Sequence, residues 1–156
     1  MAKSKSAPRH WLMKSEPDCF SIEHLKKKKT SGWDGVRNYQ ARNFMREMAL
    51  GDKVMFYHSN AKPPGVAGLA EVCALAHADP TQFDPESEYY DPKATPTVPR
   101  WFMVDVTYIS TFSELIPLER LHQIPELSGM VLLQRSRLSV QPVSKPHYDL
   151  IVSLSK

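Results

Sequence analysis

Short apolar segments bounded by proline or glycine predict that strands dominate this chain. Residues 10–14 form one such run, and Pro17 ends it because proline cannot donate to a strand ladder. Residues 53–58 are strand-like, and residues 100–109 alternate between two faces. Residues 66–75 fit a strand or a helix by composition. The glycines at their start, Gly65 and Gly68, favour a strand that bends or approaches another backbone closely.

A helical period is clearest in residues 39–50. Four apolar side chains there fall at i, i+3, i+4 and i+7: Ala41, Phe44, Met45 and Met48. Asn38 is a suitable N-cap for this helix, and Gly51 is a suitable stop. Arg42 and Arg46, four positions apart, share a different face of the same helix.

Shorter elements complete the pattern. Helices are predicted after the N-cap Ser21, in residues 117–122, and from the N-cap Ser144 to about residue 154. Residues 137–141 are predicted to form a late strand, whereas five prolines make residues 79–99 an irregular excursion. Strands interrupted by short helices without strict alternation predict an α+β domain, a curled sheet or small mixed β-barrel flanked by helices.

Composition places the chain among single-domain globular proteins. It has 156 residues, of which 42% are hydrophobic and 24% are charged. No apolar run is long enough to cross a bilayer, and the first residues lack the apolar part of a signal peptide, so we expect no membrane partner. Residues 1–50 hold 11 basic and 5 acidic side chains, and residues 51–100 hold 4 and 7. This asymmetry suggests one positive face.

The motifs of common enzyme and metal sites are missing from the sequence. The six histidines have no ligand-like spacing, and the two cysteines, Cys19 and Cys73, form no CxxC pair. There is no phosphate-binding glycine loop and no nucleophile elbow. We therefore expect no metal and no cofactor, and the most specific sequence signals of an enzyme are missing.

The segment 33–42 carries the densest group of candidate binding residues. Trp33 offers a flat face for a base, and Asn38 and Gln40 offer amides that match a Watson–Crick edge. Arg42 lies near the free N–H groups of a helix start, which favour an anion such as phosphate. Trp33 filling the core and Asn38 merely capping the helix are equally good explanations.

Two strand ends add further candidates. Ser15 and Glu16 follow the first strand directly, where they line the mouth of a barrel or simply form a turn. Tyr57, His58 and Ser59 close a later strand with hydrogen-bonding side chains, which need partners from a ligand or from the protein.

These segments together resemble the EVE domain and, more closely, the thymocyte nuclear protein family. The resemblance spans residues 10–154, with residues 1–9 as a flexible basic head. It rests on motifs in chain order: HWLMKSEP (10–17), WDGVRNYQARN (33–43), FYHSN (56–60), GVAG (65–68), YDP (90–92), WFMVDV (101–106) and RLSVQP (137–142).

The resemblance implies a PUA-like fold, related to YTH and ASCH domains, and a non-enzymatic reader of modified nucleic acid. Its partner would be DNA or RNA with a modified base, such as 5-methylcytosine or 5-hydroxymethylcytosine, extruded into a pocket. Carried over by motif, the pocket residues are Ser15, Glu16, Trp33, Asn38, Gln40, Arg42, Tyr57, His58 and Ser59, with Arg137 as a weaker candidate.

Two other functions stay open at this point. By analogy with ASCH-type amidohydrolases, Lys14 and Glu16 would act as base and acid on a modified base or nucleoside. The third option is a protein-interaction module with a vestigial pocket. The short head favours a cytoplasmic protein of bacterial type, or a nuclear one if the source is eukaryotic, and no sequence feature indicates an oligomeric state.

Overall fold

The computed structural model describes residues 8–134 and 137–155. The strands are β1 (His10–Ser15), β2 (Thr30–Gly32), β3 (Lys53–His58), β4 (Gly65–Ala78), β5 (Phe102–Pro117) and β6 (Val140–Val143). The helices are α1 (Ile22–Lys28), α2 (Tyr39–Glu47), α3 (Leu118–His122), α4 (Val131–Gln134) and α5 (Lys145–Leu154), and two short 3₁₀ turns lie at Pro80–Phe83 and Pro125–Leu127.

All six strands form one mixed sheet in the order β2-β5-β4-β3-β1-β6. The pair β1–β3 is parallel, and the other neighbours are antiparallel. Within the described residues, β2 and β6 are the two unpaired edges, so the sheet is not closed by hydrogen bonds. A mixed sheet with short flanking helices confirms the predicted α+β class.

Both faces of the sheet are covered, which explains the continuous apolar run in β1. Trp11 and Met13 belong to one hydrophobic cluster, with α1 and α2, whereas Leu12 belongs to a second cluster with α3, α4 and α5. All three side chains are fully buried. A strand buried on both faces is apolar at every position rather than at alternate ones.

The long antiparallel pair β4–β5 confirms the predicted strand after Gly65 and extends both strands beyond their predicted ends. A Cβ at Gly65 would collide with the backbone carbonyl of Ile116, and one at Gly68 with that of Ser110. These glycines therefore allow the close backbone approach expected from the sequence. Register shifts at four places along β4–β5 bend the pair.

The predicted helix starts are confirmed, but some ends differ. The side chains of Ser21, Asn38 and Ser144 accept hydrogen bonds from the third residue after each cap. Helix α2 ends at Glu47, three residues earlier than predicted, and Asp52 accepts a hydrogen bond from the backbone of Ala49 in the turn that follows. The late strand is also shifted, because β6 begins at Val140 rather than at residue 137.

The predicted head lies mostly outside the described residues, which begin at Pro8. Arg9 is attached to the domain: its backbone N–H donates to Asp52, its guanidinium pairs with Glu47 at 3.2 Å, and it lies 4.4 Å from the Trp11 ring centroid. Among the described residues, no helix has the length and apolar character required to span a membrane.

Candidate functional site

An open pocket of about 1040 Å³ lies where β1, β2 and the loop before α2 meet. Three chain segments supply most of its wall: residues 14–16, residues 31–37 and residues 88–89. Single side chains from other parts of the fold complete it: Cys19, Phe20, Lys28, Ser59, Met103, Arg137 and Ser139. The pocket thus gathers residues from five of the seven sequence motifs, together with a loop from the proline-rich excursion.

The turn after β1 is fixed by its own hydrogen bonds. The hydroxyl of Ser15 donates to the carbonyl of Phe20 at 2.7 Å, and the backbone N–H groups of Cys19 and Phe20 donate to the carbonyl of Glu16. Ser59 joins the same wall, because its N–H donates to the Ser15 carbonyl at 3.0 Å. This turn presents the exposed carboxylate of Glu16 at the rim of the pocket.

Trp33 both lines the pocket and fills the core. Its side chain is buried to 7% exposure, and its ring lies edge-on to Phe56 with centroids 5.2 Å apart. Phe20 packs at right angles to it, at 6.4 Å. Trp33 therefore exposes only a small part of its surface to the pocket. Its place in the hydrophobic core is confirmed, and its stacking on a base stays a prediction.

A buried ion pair joins the loop before α2 to the loop after β4. The guanidinium of Arg37 donates to the carboxylate of Asp79 at 3.1 Å, to the Thr81 hydroxyl at 3.0 Å and to the Tyr89 carbonyl at 2.8 Å. Asp79 is fully buried and also accepts from the backbone N–H of Gly35 at 2.8 Å. Burial by itself raises the pKa of Asp79, but hydrogen bonds from Thr81, Gly35 and Arg37 outweigh burial and hold it below its usual value.

Tyr89 reaches the pocket because of this network. Its ring rests against Gly35, where an added Cβ would lie 2.7 Å from the ring. Gly35 also has φ = 81°, a conformation that residues with a Cβ rarely adopt. The Arg37 guanidinium lies 5.4 Å from the same ring. The aromatic ring is thus held in a fixed position on one wall.

The pocket carries charges of both signs. Its lining includes the basic side chains of Lys14, Lys28 and Arg137 and the acidic side chains of Glu16 and Asp34. Desolvation by burial lowers the pKa of Lys14. The pKa of Asp34 is raised, mainly by desolvation and also by the nearby Asp79 carboxylate. The positive charge of Arg37 lowers it, but by less. A ligand here meets hydrogen-bond donors and acceptors rather than a uniformly positive surface.

Five of the ten predicted site residues line this pocket: Ser15, Glu16, Trp33, Ser59 and Arg137. Three others lie at the start of α2 instead. Asn38 caps the helix by accepting from Ala41 at 2.9 Å, Gln40 is exposed, and Arg42 donates to the carbonyl of Arg100 at 2.8 Å. Their role in binding stays a prediction.

The last two, Tyr57 and His58, are also absent from the pocket lining. Tyr57 is buried in the second hydrophobic cluster, and burial raises its pKa. His58 accepts a hydrogen bond from the backbone N–H of Ile22 at 3.1 Å, which satisfies a free donor at the start of α1. Burial lowers the pKa of His58 and so favours this neutral, accepting form. Their contact with a ligand also stays a prediction.

Sequence reasoning missed Arg37, Tyr89 and Asp79. Arg37 lies inside the motif 33–43, between residues that were singled out, so the motif itself was sufficient to find it. No local signal marks Tyr89 or Asp79, because both lie more than 40 residues from the loop they contact. Among residues 8–134 and 137–155, no cluster of three or more His, Cys, Asp or Glu side chains is arranged to hold a metal ion.

Comparison with known proteins agrees with this architecture. The EVE domain family model matches residues 9–154. Human thymocyte nuclear protein 1 is 45% identical over 171 residues, an alignment that covers 97% of this chain and 76% of that protein. A hypothetical protein from Leishmania major is 54% identical with a TM-score of 0.94, over 96% of this chain and 95% of that one.

A further similar structure contains DNA. The human THYN1 protein, crystallised in complex with DNA containing 5-methylcytosine, is 44% identical with a TM-score of 0.91, over 95% of this chain and 98% of that one. The fold is therefore that of a PUA-like domain of the EVE type. The chain belongs to the EVE domain family and, within it, to the thymocyte nuclear protein family.

Proposed function

We propose that this protein is a non-enzymatic reader of DNA that accepts a modified cytosine, extruded from the helix, in the pocket described above. The observation that carries the proposal is the open, mixed-polarity pocket in a chain 44% identical to a protein crystallised with 5-methylcytosine DNA. Ligand pockets typically measure about 300–1,000 Å³, so this volume suits an extruded nucleotide. Extrusion costs a few kcal/mol in a duplex and less in a single strand.

The chemistry of the lining supports a cytosine ligand. Glu16 supplies a carboxylate at the rim, and a carboxylate accepts well from the exocyclic amine of cytosine. Trp33, Val36 and Met103 provide apolar surface for a 5-methyl group. Burial of one such methyl is worth about 1–3 kcal/mol, which gives a moderate preference over unmodified cytosine. Arg137, which is exposed on the lining, is suited to a phosphate.

A binding panel tests the proposal directly. Short labelled duplexes, single strands and RNAs of one sequence, each with cytosine, 5-methylcytosine or 5-hydroxymethylcytosine, are titrated by fluorescence anisotropy at several salt concentrations. We expect tighter binding of the modified DNA than of its unmodified counterpart at every salt concentration. Equal affinity for modified and unmodified strands in DNA and RNA would contradict a reader function.

The variant Glu16→Ala separates a base contact from a charge effect. Removing a negative charge near DNA strengthens binding if the charge acts only through the overall field. A carboxylate that accepts from the base predicts the opposite, an affinity about tenfold lower for modified DNA. Glu119→Ala, at an exposed position on α3, is the matched control and reports the field effect alone. Stronger binding by both variants would remove Glu16 from the base site.

A catalytic function is the alternative, and one observation favours it. Lys14 lines the same pocket as Glu16, and burial lowers its pKa, as is common for catalytic lysines. Incubation with modified nucleosides followed by mass spectrometry distinguishes the two functions. Product formation abolished by Glu16→Gln supports the enzyme. Binding with no product supports the reader.

A further inference from the structure

A row of arginine–aromatic contacts leads away from the pocket along α2. Arg37, on the pocket wall, lies 5.3 Å from the ring centroid of Trp101. The Trp101 ring stacks on Tyr39 with centroids 4.7 Å apart and planes inclined by 21°. Arg42 lies 4.7 Å from the Tyr39 ring and 5.9 Å from the Trp101 ring. The row therefore begins at the pocket itself.

Two more arginines extend the row outward. Arg100 donates to the Tyr39 hydroxyl at 2.7 Å, and Arg46 lies 4.7 Å from the Phe102 ring. We call Arg42, Arg46 and Arg100, with the rings beneath them, the arginine ridge. Arg46 is exposed, and Tyr39 is 46% exposed, so this surface is accessible to a partner.

The ridge keeps a net positive charge. Asp91 lies 3.8 Å from Arg100 and also accepts from the Trp101 indole at 2.8 Å. Glu47, next to Arg46 in the chain, pairs instead with Arg9 at 3.2 Å. Among the described residues, the Asp91–Arg100 contact is the one ion pair made by these three guanidinium groups, an arrangement that favours a polyanion.

The geometry of the ridge suits phosphate better than a loose basic cluster does. A guanidinium packed against a ring loses little further side-chain entropy on binding, and an N–H edge can engage phosphate oxygens in pairs. Arg42 already donates to the Asn43 side-chain oxygen and to the Arg100 carbonyl, so its contribution is mainly its charge. The lysines at positions 26–29 are also basic and exposed at a helix end, and Lys28 lies 5.9 Å from the Phe20 ring centroid, but an ammonium group is a point charge that cannot make paired contacts. The ridge is therefore the better candidate for a defined phosphate path.

We propose that the arginine ridge binds backbone phosphates of the DNA strand next to the base held in the pocket. This inference rests on the proposed function, since it concerns the same DNA. Arg37 and Arg42 both lie within 6 Å of the Trp101 ring centroid, so the ridge begins within a few base steps of the pocket, at ~3.4 Å per step. Phosphate contacts position a strand and carry no sequence or modification preference.

The test uses Arg46→Gln, Arg100→Gln and the double variant, with Arg120→Gln at an exposed position on α3 as the matched control. Each is titrated with a duplex carrying one 5-methylcytosine and with its unmodified counterpart, at salt concentrations from about 50 to about 200 mM. In the double variant we expect weaker binding of both duplexes by a similar factor. The slope of log K against log salt should fall by about 0.9 for each phosphate that the variant no longer neutralises.

Two further readouts make the result specific. Arg46→Lys retains the charge and should recover most of the salt slope, whereas a purely structural role for the arginine would not be rescued by charge. If the double variant has the same affinity and salt slope as Arg120→Gln, the proposal for the arginine ridge is wrong, and the pocket proposal is unaffected. A wild-type ratio of one between modified and unmodified duplex overturns the pocket proposal, while the slope still reports on the ridge.

Discussion

Replacing Asp79 by alanine is predicted to destabilise the fold strongly, because its buried carboxylate accepts four hydrogen bonds. The backbone N–H groups of Gly35 and Thr81 donate at 2.8 Å each, the Thr81 hydroxyl at 2.6 Å and the Arg37 guanidinium at 3.1 Å. Asp79 is fully buried, and the side chain of Arg37 is only 21% exposed. The variant leaves that guanidinium without its counter-charge in a partly desolvated position.

The magnitude follows from the burial of the pair. Removing one partner of a buried ion pair costs about 3–5 kcal/mol. Arg37 retains its bonds to Thr81 and Tyr89, so we expect a decrease near the lower end, about 3 kcal/mol. For a chain of this length, that decrease lowers Tm by about 6–12 °C. Urea unfolding followed by circular dichroism measures the free energy, and a thermal scan measures Tm.

Asp149→Ala provides the matched control. Asp149 pairs with Lys145 at 2.7 Å, a shorter distance than in the buried pair, but the two side chains are 56% and 69% exposed. Exposed pairs contribute about 0–1 kcal/mol because water and salt screen them. If the two variants show the same decrease in the free energy of unfolding, burial does not decide the value of these pairs and the reasoning is refuted.

The same carboxylate gives a pH dependence. Because the folded-state pKa of Asp79 is held below its usual value, its contribution is complete above the unfolded-state pKa of about 3.9 and disappears as the pH falls through the folded-state pKa. The unfolding free energy of the wild type should therefore fall more steeply below about pH 4 than that of Asp79→Asn. Parallel pH profiles of the two proteins would contradict the lowered pKa.

The remaining predictions concern a glycine and a histidine. Gly35→Ala and Gly51→Ala both place alanine at positive φ, 81° and 89° respectively, but only the methyl group at position 35 meets the Tyr89 ring. Urea unfolding should therefore show a larger loss of stability for Gly35→Ala. Equal losses for the two variants would refute the contact. The pKa of His58 should lie below 6.5 in an NMR titration, since burial lowers it while His58 accepts from Ile22. The stability gained from keeping His58 neutral is complete above about pH 6.5 and declines below it. An NMR titration midpoint of His58 at or above that value would contradict the structure.

Local interactions account for the parts of the fold that the sequence predicted well. Ser21, Asn38 and Ser144 cap their helices through contacts only three residues away, so the helix starts can be predicted without the tertiary structure. Pairing between strands is not local. The continuation of β5 to Pro117 depends on β4, whose composition alone did not distinguish strand from helix. The start of β6 likewise depends on its register with β1.

The candidate site also contains residues that local motifs predict and residues whose positions depend on distant contacts. Ser15, Glu16 and Trp33 lie in compact motifs, and the structure brings them to one pocket. The sequence points to His58 as a ligand contact because a polar side chain at a strand end needs a partner. Its partner in the structure is the start of α1, 36 residues earlier in the chain. Tyr89 completes the pocket wall from a proline-rich loop whose sequence alone indicates only irregular structure, and Asp79 holds Gly35 and Arg37 of that wall in place.

The most direct test of the account is to locate the modified base on the protein. A duplex with a ¹³C-labelled 5-methyl group on its single modified cytosine is bound to the wild-type protein, and intermolecular nuclear Overhauser effects from that methyl group are recorded. The account predicts effects to protons of Trp33, Val36 or Met103 on the pocket lining. Methylation-dependent binding with all such effects mapping outside the pocket would contradict it.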